Sequence, residues 1–217
     1  MEPLDSGRLV AVCRVHQLLP DRGSVGVTAI DKRPVEGPVK FGPLGLHADV
    51  QANRAHHGGP DQAVYAYSEE EAARWGEELG RGIEPGLFGE NLRVSGMPVS
   101  DAVIGERWRI GTAELEVTMP RTPCATFARR LGEERWVVRF TERADTGCYL
   151  KVVRKGKAGA GDGIAVVHRP AHGVTVRSFF TGPSPEDAGR LLAGHEGGEW
   201  VLPEKILARS RHVLRAR

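Results

Sequence analysis

The segment AELEVTMPRTPC, residues 113–124, joins the pattern of a β-strand to a rigid turn that ends in a cysteine. Apolar and polar residues alternate from 113 to 119, which is the period of a half-buried strand. Pro120 ends this strand because it cannot donate a hydrogen bond to a neighbour, and Pro123 restricts Thr122 to an extended shape. We therefore expect the thiol of Cys124 to stand at a strand end on a stiff turn.

Positive charge surrounds Cys124 in the sequence. Arg121 precedes it, and Arg129 and Arg130 follow it. Cations near a thiol favour the thiolate, which is both a nucleophile and a soft metal ligand. Taken by itself, a lone cysteine is more often a buried and inert side chain.

The composition is that of a folded protein rich in turns. The chain has 217 residues, of which 27% are charged and 40% are apolar. A net charge of +2 is too small to indicate nucleic acid, and no apolar run reaches the ~20 residues of a membrane span. The N-terminus has no signal-peptide pattern, and three cysteines without a CxxC pair favour neither disulfides nor a zinc knuckle. We expect a cytoplasmic protein that binds neither nucleic acid nor a membrane.

Short strands dominate the first 170 residues. Glycine- and proline-rich joints between the strands favour a meander or barrel over βαβ units. A helix is expected to begin after Ser68, a typical N-cap followed by three glutamates, and to end at Gly80 or Gly82. The predicted strands are 8–18, 26–30, 38–41, 91–94, 107–110, 113–119, 149–153 and 164–167.

The pattern changes after residue 170. Segments 174–180, 185–193 and 203–216 have helical spacing, and the last two begin with proline. The sequence therefore predicts a β-rich body over residues 1–170 and a small helical extension over 171–217. The last helix carries five cations, for which a solvated face is favoured over a nucleic-acid site: Lys205, Arg209, Arg211, Arg215 and Arg217.

The segment HHGGPD, residues 56–61, has two interpretations. Consecutive glycines allow backbone N–H groups to converge on an anion, and an imidazole can add a further donor. The same residues also suit a hairpin loop. A zinc site formed by His47, His56, His57 and a cysteine is conceivable, although the spacing matches no common zinc pattern.

Two further segments carry polar groups at turns. Asn91 in FGENL, residues 88–92, offers an acceptor and two donors that suit the edge of a heterocycle, but this composition is also ordinary in turns. Lys32 and Arg33 in DKRPV, residues 31–35, form a pair of adjacent cations that either binds a phosphate or lies on a surface turn.

In this order, the motifs resemble the MOSC domain, named for the C-terminal domain of molybdenum-cofactor sulfurases. The resemblance covers residues 25–168, and the tail is similar to the three-helix extension of the bacterial YiiM-like branch. Ala48 is a departure, since the family pattern has glycine before Asp49. The matching segments are AIDKRPV (29–35), GLHAD (45–49), HGGPDQAV (57–64), FGENL (88–92), RTPC (121–124), GCYLKV (147–152) and GAGD (159–162).

The resemblance implies a mainly β fold, a MOSC-type β-barrel with a few short helices that is followed by a small C-terminal helical unit. It also implies a bound molybdenum cofactor (Mo-molybdopterin), with Cys124 as the protein ligand of molybdenum. Cations beside the thiolate would offset the negative charge of the dithiolene and the phosphate. The residues expected to contact the cofactor or the substrate are Lys32, Arg33, His57, Gly58, Gly59, Asn91, Arg121 and Cys124.

Family members with this tail are associated with the reduction of N-hydroxylated compounds, such as N-hydroxylated purines or amidoximes, to amines or amidines. The resemblance thus implies a reductase with His57 as the proton donor, or else Glu90. Electrons would come from a separate redox protein, because the sequence has neither a dinucleotide fingerprint nor an iron–sulfur cysteine cluster. The alternatives are a cofactor carrier or sulfur-handling module, for which this sequence has no pyridoxal-phosphate domain, and a non-catalytic binding module.

Overall fold

Thirteen strands and six α-helices make up the described part of the protein, which in the computed structural model comprises residues 5–23, 25–52 and 58–216. The strands are β1 (Ser6–Val15), β2 (Leu19–Pro20), β3 (Val27–Thr28), β4 (Lys32–Pro34), β5 (Val39–Gly42), β6 (Gly45–Leu46), β7 (Val64–Ser68), β8 (Leu92–Ser95), β9 (Arg107–Ile110), β10 (Ala113–Pro120), β11 (Cys148–Arg154), β12 (Gly156–Ala158) and β13 (Gly163–His168). The helices are α1 (Glu69–Leu79), α2 (Ala125–Leu131), α3 (Trp136–Arg143), α4 (Val176–Thr181), α5 (Pro185–Glu196) and α6 (Glu204–Arg215).

Seven strands close into a barrel. Their order is β13-β9-β10-β11-β7-β8-β1, and β1 pairs with β13 to complete the ring. Strands β7 and β8 pair in parallel, and the other neighbours in the ring are antiparallel. Closure leaves the ring without an edge strand. The predicted mainly β, barrel-like fold is thereby confirmed.

Strand β10 is covered on both of its faces. Leu115 and Val117 are buried in the barrel core, as their alternation predicts. Glu116 is also buried, although the sequence pattern predicts a polar face in solvent. Its carboxylate accepts hydrogen bonds from Arg107 at 2.9 Å and is paired with Lys151 at 2.6 Å. Arg107 of β9 and Lys151 of β11 thus pair with the buried carboxylate of Glu116 from the two neighbouring strands.

Helix α1 lies where its local signals place it. The Ser68 hydroxyl accepts a hydrogen bond from the Glu71 N–H at 3.3 Å, and Gly80 ends the helix with a φ of +63°. Helices α2 and α3 were not predicted. They have seven and eight residues, and neither begins with a residue whose side chain caps it. Their aromatic residues pack with those of α1 in a second core beside the barrel, which includes Trp75, Phe88, Phe127, Trp136 and Phe140.

The C-terminal helices share the core of the barrel. Val176 and Phe179 of α4, Leu191 of α5 and Ile206 of α6 are buried in the same apolar cluster as the barrel strands. These helices therefore cover apolar barrel surface, and a domain boundary near residue 170 stays a prediction. Within the described ranges, no helix combines the length and the apolar character that crossing a membrane requires.

We expect a chain truncated after residue 170 to aggregate or to lose cooperative unfolding. The deletion removes the apolar faces of three helices and exposes the barrel residues they cover, which favours association. Urea unfolding and light scattering measure the outcome. The full-length variant Lys205→Ala/Arg211→Ala, which alters only exposed cations of α6, is the control and should unfold as the wild type does. A soluble, cooperatively unfolding 1–170 fragment would contradict this expectation.

A buried carboxylate on α1 makes the stability depend on pH. Glu71 accepts hydrogen bonds from the hydroxyl of Ser100 at 2.8 Å and from its N–H at 3.4 Å. Burial raises the pKa of Glu71 from 4.5 to about 7, and Asp145 acts in the same direction. Between these values the folded state holds a proton that the unfolded state has released. The stability contribution is therefore present below pH 4.5 and is lost by about pH 7.

Replacing Glu71 by glutamine, which resembles the protonated acid, should remove this dependence. The free energy of unfolding of Glu71→Gln relative to the wild type should rise by about 3 kcal/mol between pH 4.5 and pH 7.5. Urea titrations across this range measure the difference. Glu77→Gln alters an exposed carboxylate of the same helix and should show no such rise. An equal pH dependence in both variants would show that the Glu71 carboxyl is not perturbed by burial.

Candidate functional site

A cavity of about 450 Å³ opens beside the barrel. Its walls come from the β2–β3 hairpin and the residues after it, the loop after β6, the start of β7, the turn before β8 and the first turn of α2. Four cations and two carboxylates line it: Arg22, Lys32, Arg121 and Arg129, with Asp21 and Asp49. The excess of positive charge suits an anionic ligand.

Cys124 lines this cavity at the junction of β10 and α2. Strand β10 ends at Pro120, opposite Cys148 of β11, and four residues later Cys124 forms the N-cap of α2 in an extended conformation. The thiol is partly exposed, whereas Cys13 and Cys148 are fully buried. This geometry agrees with the prediction that Cys124 follows the end of a strand on a short turn. No disulfide joins the three cysteines, all of which lie in the described residues.

Arg121 brings a buried positive charge to the same wall. Only 7% of its surface is exposed, and its guanidinium lies over the ring of Phe127, with 3.8 Å between Cζ and the ring centroid. Its Nη1 donates to the carbonyl oxygen of Phe88 at 2.6 Å. The groups that act on its charge are Tyr65, Tyr149 and Cys124, and in the described ranges no carboxylate pairs with it. An uncompensated buried cation is costly, so this wall is suited to a thiolate or to a bound anion.

Lys32 lies in the wall as half of an ion pair. Its Nζ donates to Oδ2 of Asp49, and the two side chains are 10% and 7% exposed. The other carboxylate oxygen of Asp49 accepts from the N–H of Val15 at 2.8 Å. Lys32 therefore reaches the cavity as predicted, but part of its charge is neutralised. The contribution of Asp49 was not predicted, although its segment GLHAD belongs to the matching motifs.

Asn91 holds the wall together with hydrogen bonds inside the protein. Its Nδ2 donates to Oδ2 of Asp49 at 2.8 Å and to the carbonyl oxygen of Cys13 at 3.1 Å. Its Oδ1 accepts from the N–H of Tyr65 at 3.2 Å. Asn91 lines the cavity, but both amide hydrogens have protein partners. Both amide hydrogens of Asn91 are thus used inside the protein. Its contact with the edge of a heterocycle stays a prediction.

Two other predicted residues lie outside the cavity lining. Arg33 is 55% exposed and pairs with Asp31, with 3.4 Å between Nη2 and Oδ2, so its contact with a phosphate stays a prediction. Glu90 is completely buried, and its oxygens accept from the N–H groups of Gly86 and Phe88 and from Nε of Arg93, at 2.8, 3.0 and 2.9 Å. This environment is that of a structural carboxylate, because all three contacts order the turn before β8.

The predicted anion cradle at HGGPD has a different role where it is described. His57 lies outside the described residues. The N–H of Gly58 donates to Oε1 of Gln62 at 3.0 Å, and the N–H of Gly59 donates to Oε1 of Gln51 at 3.2 Å. Both glutamines line the cavity, whereas the two glycines do not. The glycine N–H groups thus orient two amide side chains, a role that no local sequence signal distinguishes from anion binding.

A side-chain cluster ties the β2–β3 hairpin to α2. Asp21 of the hairpin accepts from Nε and Nη2 of Arg129 at 2.9 and 2.8 Å, and from the hydroxyl of Thr126 at 3.0 Å. The hairpin pairs only with itself among the described strands, so these contacts help to hold it at the cavity that Cys124 also lines. Neither this cluster nor the position of Tyr149 in the cavity was predicted.

Ala48 confirms that the loop after β6 has a special backbone. Its φ of +61° lies in the left-handed region, which favours glycine. The sequence departs from the family pattern at this residue and yet keeps the backbone shape that glycine supplies. The hydrogen bonds of the following Asp49 hold this conformation in place.

Fold and cavity together define a closed β-barrel protein with a cysteine in the wall of a cation-lined ligand site. The MOSC domain matches residues 53–165. The chain belongs to the MOSC domain family, which is associated with the molybdenum cofactor, and its similarities fall in the YiiM-like branch.

Three relatives support this membership. YflK of Bacillus subtilis is 33% identical over 183 residues, which cover 84% of this chain and 80% of YflK. Escherichia coli YiiM is 31% identical over 145 residues, or 65% of each chain. A protein of Gibberella moniliformis named "Reductase" is 30% identical over 158 residues, which cover 69% of this chain and 28% of that longer protein.

The fold itself has a close counterpart among solved structures. YiiM from Geobacillus stearothermophilus superposes with a TM-score of 0.76 at 23% identity, over 96% of this chain and 99% of that one. The superposition includes the C-terminal helices, since it covers nearly the whole of both chains. At this identity the likeness is one of fold.

Adjacent residues Lys32 and Arg33 should differ in their effect on stability. Lys32→Met leaves the carboxylate of Asp49 buried without its cation and should lower the free energy of unfolding by about 3 kcal/mol. Arg33→Met removes an exposed, weakly paired cation and should cost less than about 1 kcal/mol. Urea unfolding of both variants measures this. The double variant Lys32→Met/Asp49→Asn should recover part of the free energy of unfolding that Lys32→Met loses. If Lys32→Met and Arg33→Met were equally stable, the buried ion pair would not stabilise the wall.

Proposed function

We propose that the protein binds the molybdenum cofactor and reduces N-hydroxylated compounds, such as amidoximes and N-hydroxylated purines, to amidines or amines. The observation that carries the proposal is the pairing of a partly exposed thiol, Cys124, with the buried and uncompensated guanidinium of Arg121 in one cavity. Membership of a molybdenum-cofactor-associated family supports the cofactor, and the relative named "Reductase" supports the class of reaction.

The residues present fit this cofactor. A thiolate is a soft ligand suited to molybdenum, so Cys124 would be the protein ligand of the metal. Arg121 would offset the charge of the dithiolene and the thiolate, while Lys32 and the hairpin cation Arg22 would face the phosphate end. Of the described residues, no group of three or more His, Cys, Asp and Glu side chains could hold a metal ion. A single thiolate suits a metal whose other ligands come from its own cofactor.

The reaction requires two electrons and two protons. An N-hydroxylated substrate R–NH–OH gains two electrons and two protons and becomes R–NH₂ and water, as the N–O bond breaks. When bound, the molybdenum cofactor supplies the two-electron redox chemistry of this conversion. His57 is the proposed proton donor, or else Glu90, whose oxygens accept hydrogen bonds from the N–H groups of Gly86 and Phe88.

The rim of the cavity suits the apolar body of such a substrate. Val25, Val27 and Val50 line the cavity and are each exposed at its surface. An aromatic or purine-like ring that covers these side chains would remove them from water and would direct its polar N–O group towards Cys124. The protein would thereby position the substrate and exclude water from the reacting group.

A separate redox protein would supply the electrons. Helix α6 directs its buried residues at the barrel core and presents exposed cations on its outer face, including Lys205, Arg209 and Arg211. An acidic electron donor would be attracted to this face, and the attraction would weaken as salt screens exposed charges. A cytoplasmic location, where thiols stay reduced, belongs to the same proposal.

We expect Cys124→Ser to lose the bound molybdenum and the turnover. The experiment purifies wild type and variant from a host that makes molybdopterin, then measures molybdenum by mass spectrometry and the reduction of benzamidoxime with a dye as reductant. The wild type should contain molybdenum and form benzamidine. A hard hydroxyl is a poor substitute for the thiolate, while the partly exposed position tolerates the exchange without unfolding.

Cys148→Ala is the matched control, since it removes a fully buried thiol that does not line the cavity. This variant should keep its molybdenum. Equal molybdenum in Cys124→Ser and wild type would reject Cys124 as the ligand. A wild type that holds molybdenum and never turns over would instead support a cofactor carrier or sulfur-handling module.

A further inference from the structure

Tyr149 lies on a strand of the closed barrel and lines the cavity. It lies on β11, opposite Met119 of β10 and Tyr65 of β7. Its side chain is partly exposed and lines the same cavity as Cys124 and Arg121. A side chain between two paired strands of a closed barrel has little freedom to move, so its position is well defined for contact with a ligand.

The hydroxyl of Tyr149 differs from that of its neighbour Tyr65. The two rings lie 5.4 Å apart between centroids and are tilted by 41°. Tyr65 donates its hydroxyl hydrogen to the carbonyl oxygen of Thr146 at 2.9 Å. Among the described residues, the Tyr149 hydroxyl has no hydrogen-bond partner, although the ring itself packs against the apolar clusters of the protein. One phenol therefore holds the fold together, while the other presents an unused donor at the cavity.

Arg121 and Cys124 are the charged groups that act on Tyr149. The positive charge of Arg121 opposes the rise in the pKa of Tyr149 that burial causes, and the charge of Cys124 adds to this rise. The hydroxyl of a tyrosine is a hydrogen-bond donor. The arginine also interacts with both tyrosines and with Cys124, which places all four groups around one part of the cavity.

We propose that Tyr149 is a further catalytic residue, whose hydroxyl donates a hydrogen bond to the oxygen of the N–O group of the substrate and so orients this oxygen beside Cys124. This inference rests on the proposed function. It names the contact by which the site would distinguish N-hydroxylated compounds from their products. The amine or amidine lacks this oxygen, so it cannot receive the hydrogen bond and leaves the site more readily. Val25 and Val27 contact only the body of the ligand and make no such distinction.

Calorimetric titration of the molybdenum-loaded protein with two probes tests this inference. Benzamidoxime carries the N–O oxygen, and benzamidine is the same molecule without it. Tyr149→Phe should weaken the binding of benzamidoxime about tenfold, which is the effect of one hydrogen bond, and should leave the binding of benzamidine unchanged. Its molybdenum content and thermal midpoint should equal those of the wild type, because the hydroxyl has no partner in the described protein.

Tyr65→Phe is the matched control, with the same chemical change 5.4 Å away. It should lower the thermal midpoint by about 3 °C, since the carbonyl of Thr146 loses its donor, and should keep the preference between the two probes. Equal weakening of both probes in Tyr149→Phe would overturn the proposal, because the ring would then act as an apolar wall. A fall in its midpoint as large as that of Tyr65→Phe would also overturn it, by showing a structural hydroxyl.

The test separates this inference from the function on which it rests. Suppose that the wild type reduces benzamidoxime and that Tyr149→Phe binds both probes as the wild type does. The proposed hydrogen bond from Tyr149 would then be wrong, whereas the proposed reductase function would be supported. If the wild type holds molybdenum but binds neither probe, the N-hydroxylated substrate class is wrong, and the role of Tyr149 falls with it.

Discussion

The cavity depends on a polar network centred on Asp49 and Asn91. The two side chains bond to each other, and through Lys32, Val15, Cys13 and Tyr65 they connect β1, β4, β7 and the loop after β6. The side chains of Asp49 and Asn91 accept from the N–H groups of Val15 and Tyr65, and Asn91 donates to the carbonyl oxygen of Cys13. The wall is consequently stiff, and its polar groups mostly contact each other.

Arg121, Cys124 and Tyr149 bring three different chemical groups to the lining of one cavity. Arg121 is held by the rings of Tyr65 and Phe127 and by one carbonyl, none of which neutralises its charge. Aromatic faces stabilise a buried guanidinium without compensating it, so the charge stays available to the cavity. Cys124 and Tyr149 complete the set, and the thiol, the cation and the phenol offer three different kinds of contact to one ligand.

The protein contacts of Glu90 and of Gly58-Gly59 could not be predicted from their local sequence. A carboxylate in a turn and two consecutive glycines have the same local pattern whether they face a ligand or the protein. Arg93 and the turn before β8 surround Glu90 completely, and the glycine N–H groups meet Gln51 and Gln62. These partners come from other segments or from a different part of the turn, so the local motif does not reveal them.

The sequence by itself determined eight of the thirteen strands, α1 with its cap at Ser68 and stop at Gly80, the C-terminal helices and the place of Cys124 after a rigid turn. Hydrophobic period, capping and proline act over a few residues, so these features can be read locally. The sequence did not determine β7, which is part of the barrel ring. It did not determine helices α2 and α3, which lack capping side chains and are stabilised by packing of Phe127, Trp136 and Phe140 against α1. Only the tertiary structure decided which polar groups face the cavity. A polar side chain can bind a ligand only if residues of other segments do not already occupy its hydrogen-bonding groups. Those residues lie far apart in the chain, so the local sequence does not reveal them.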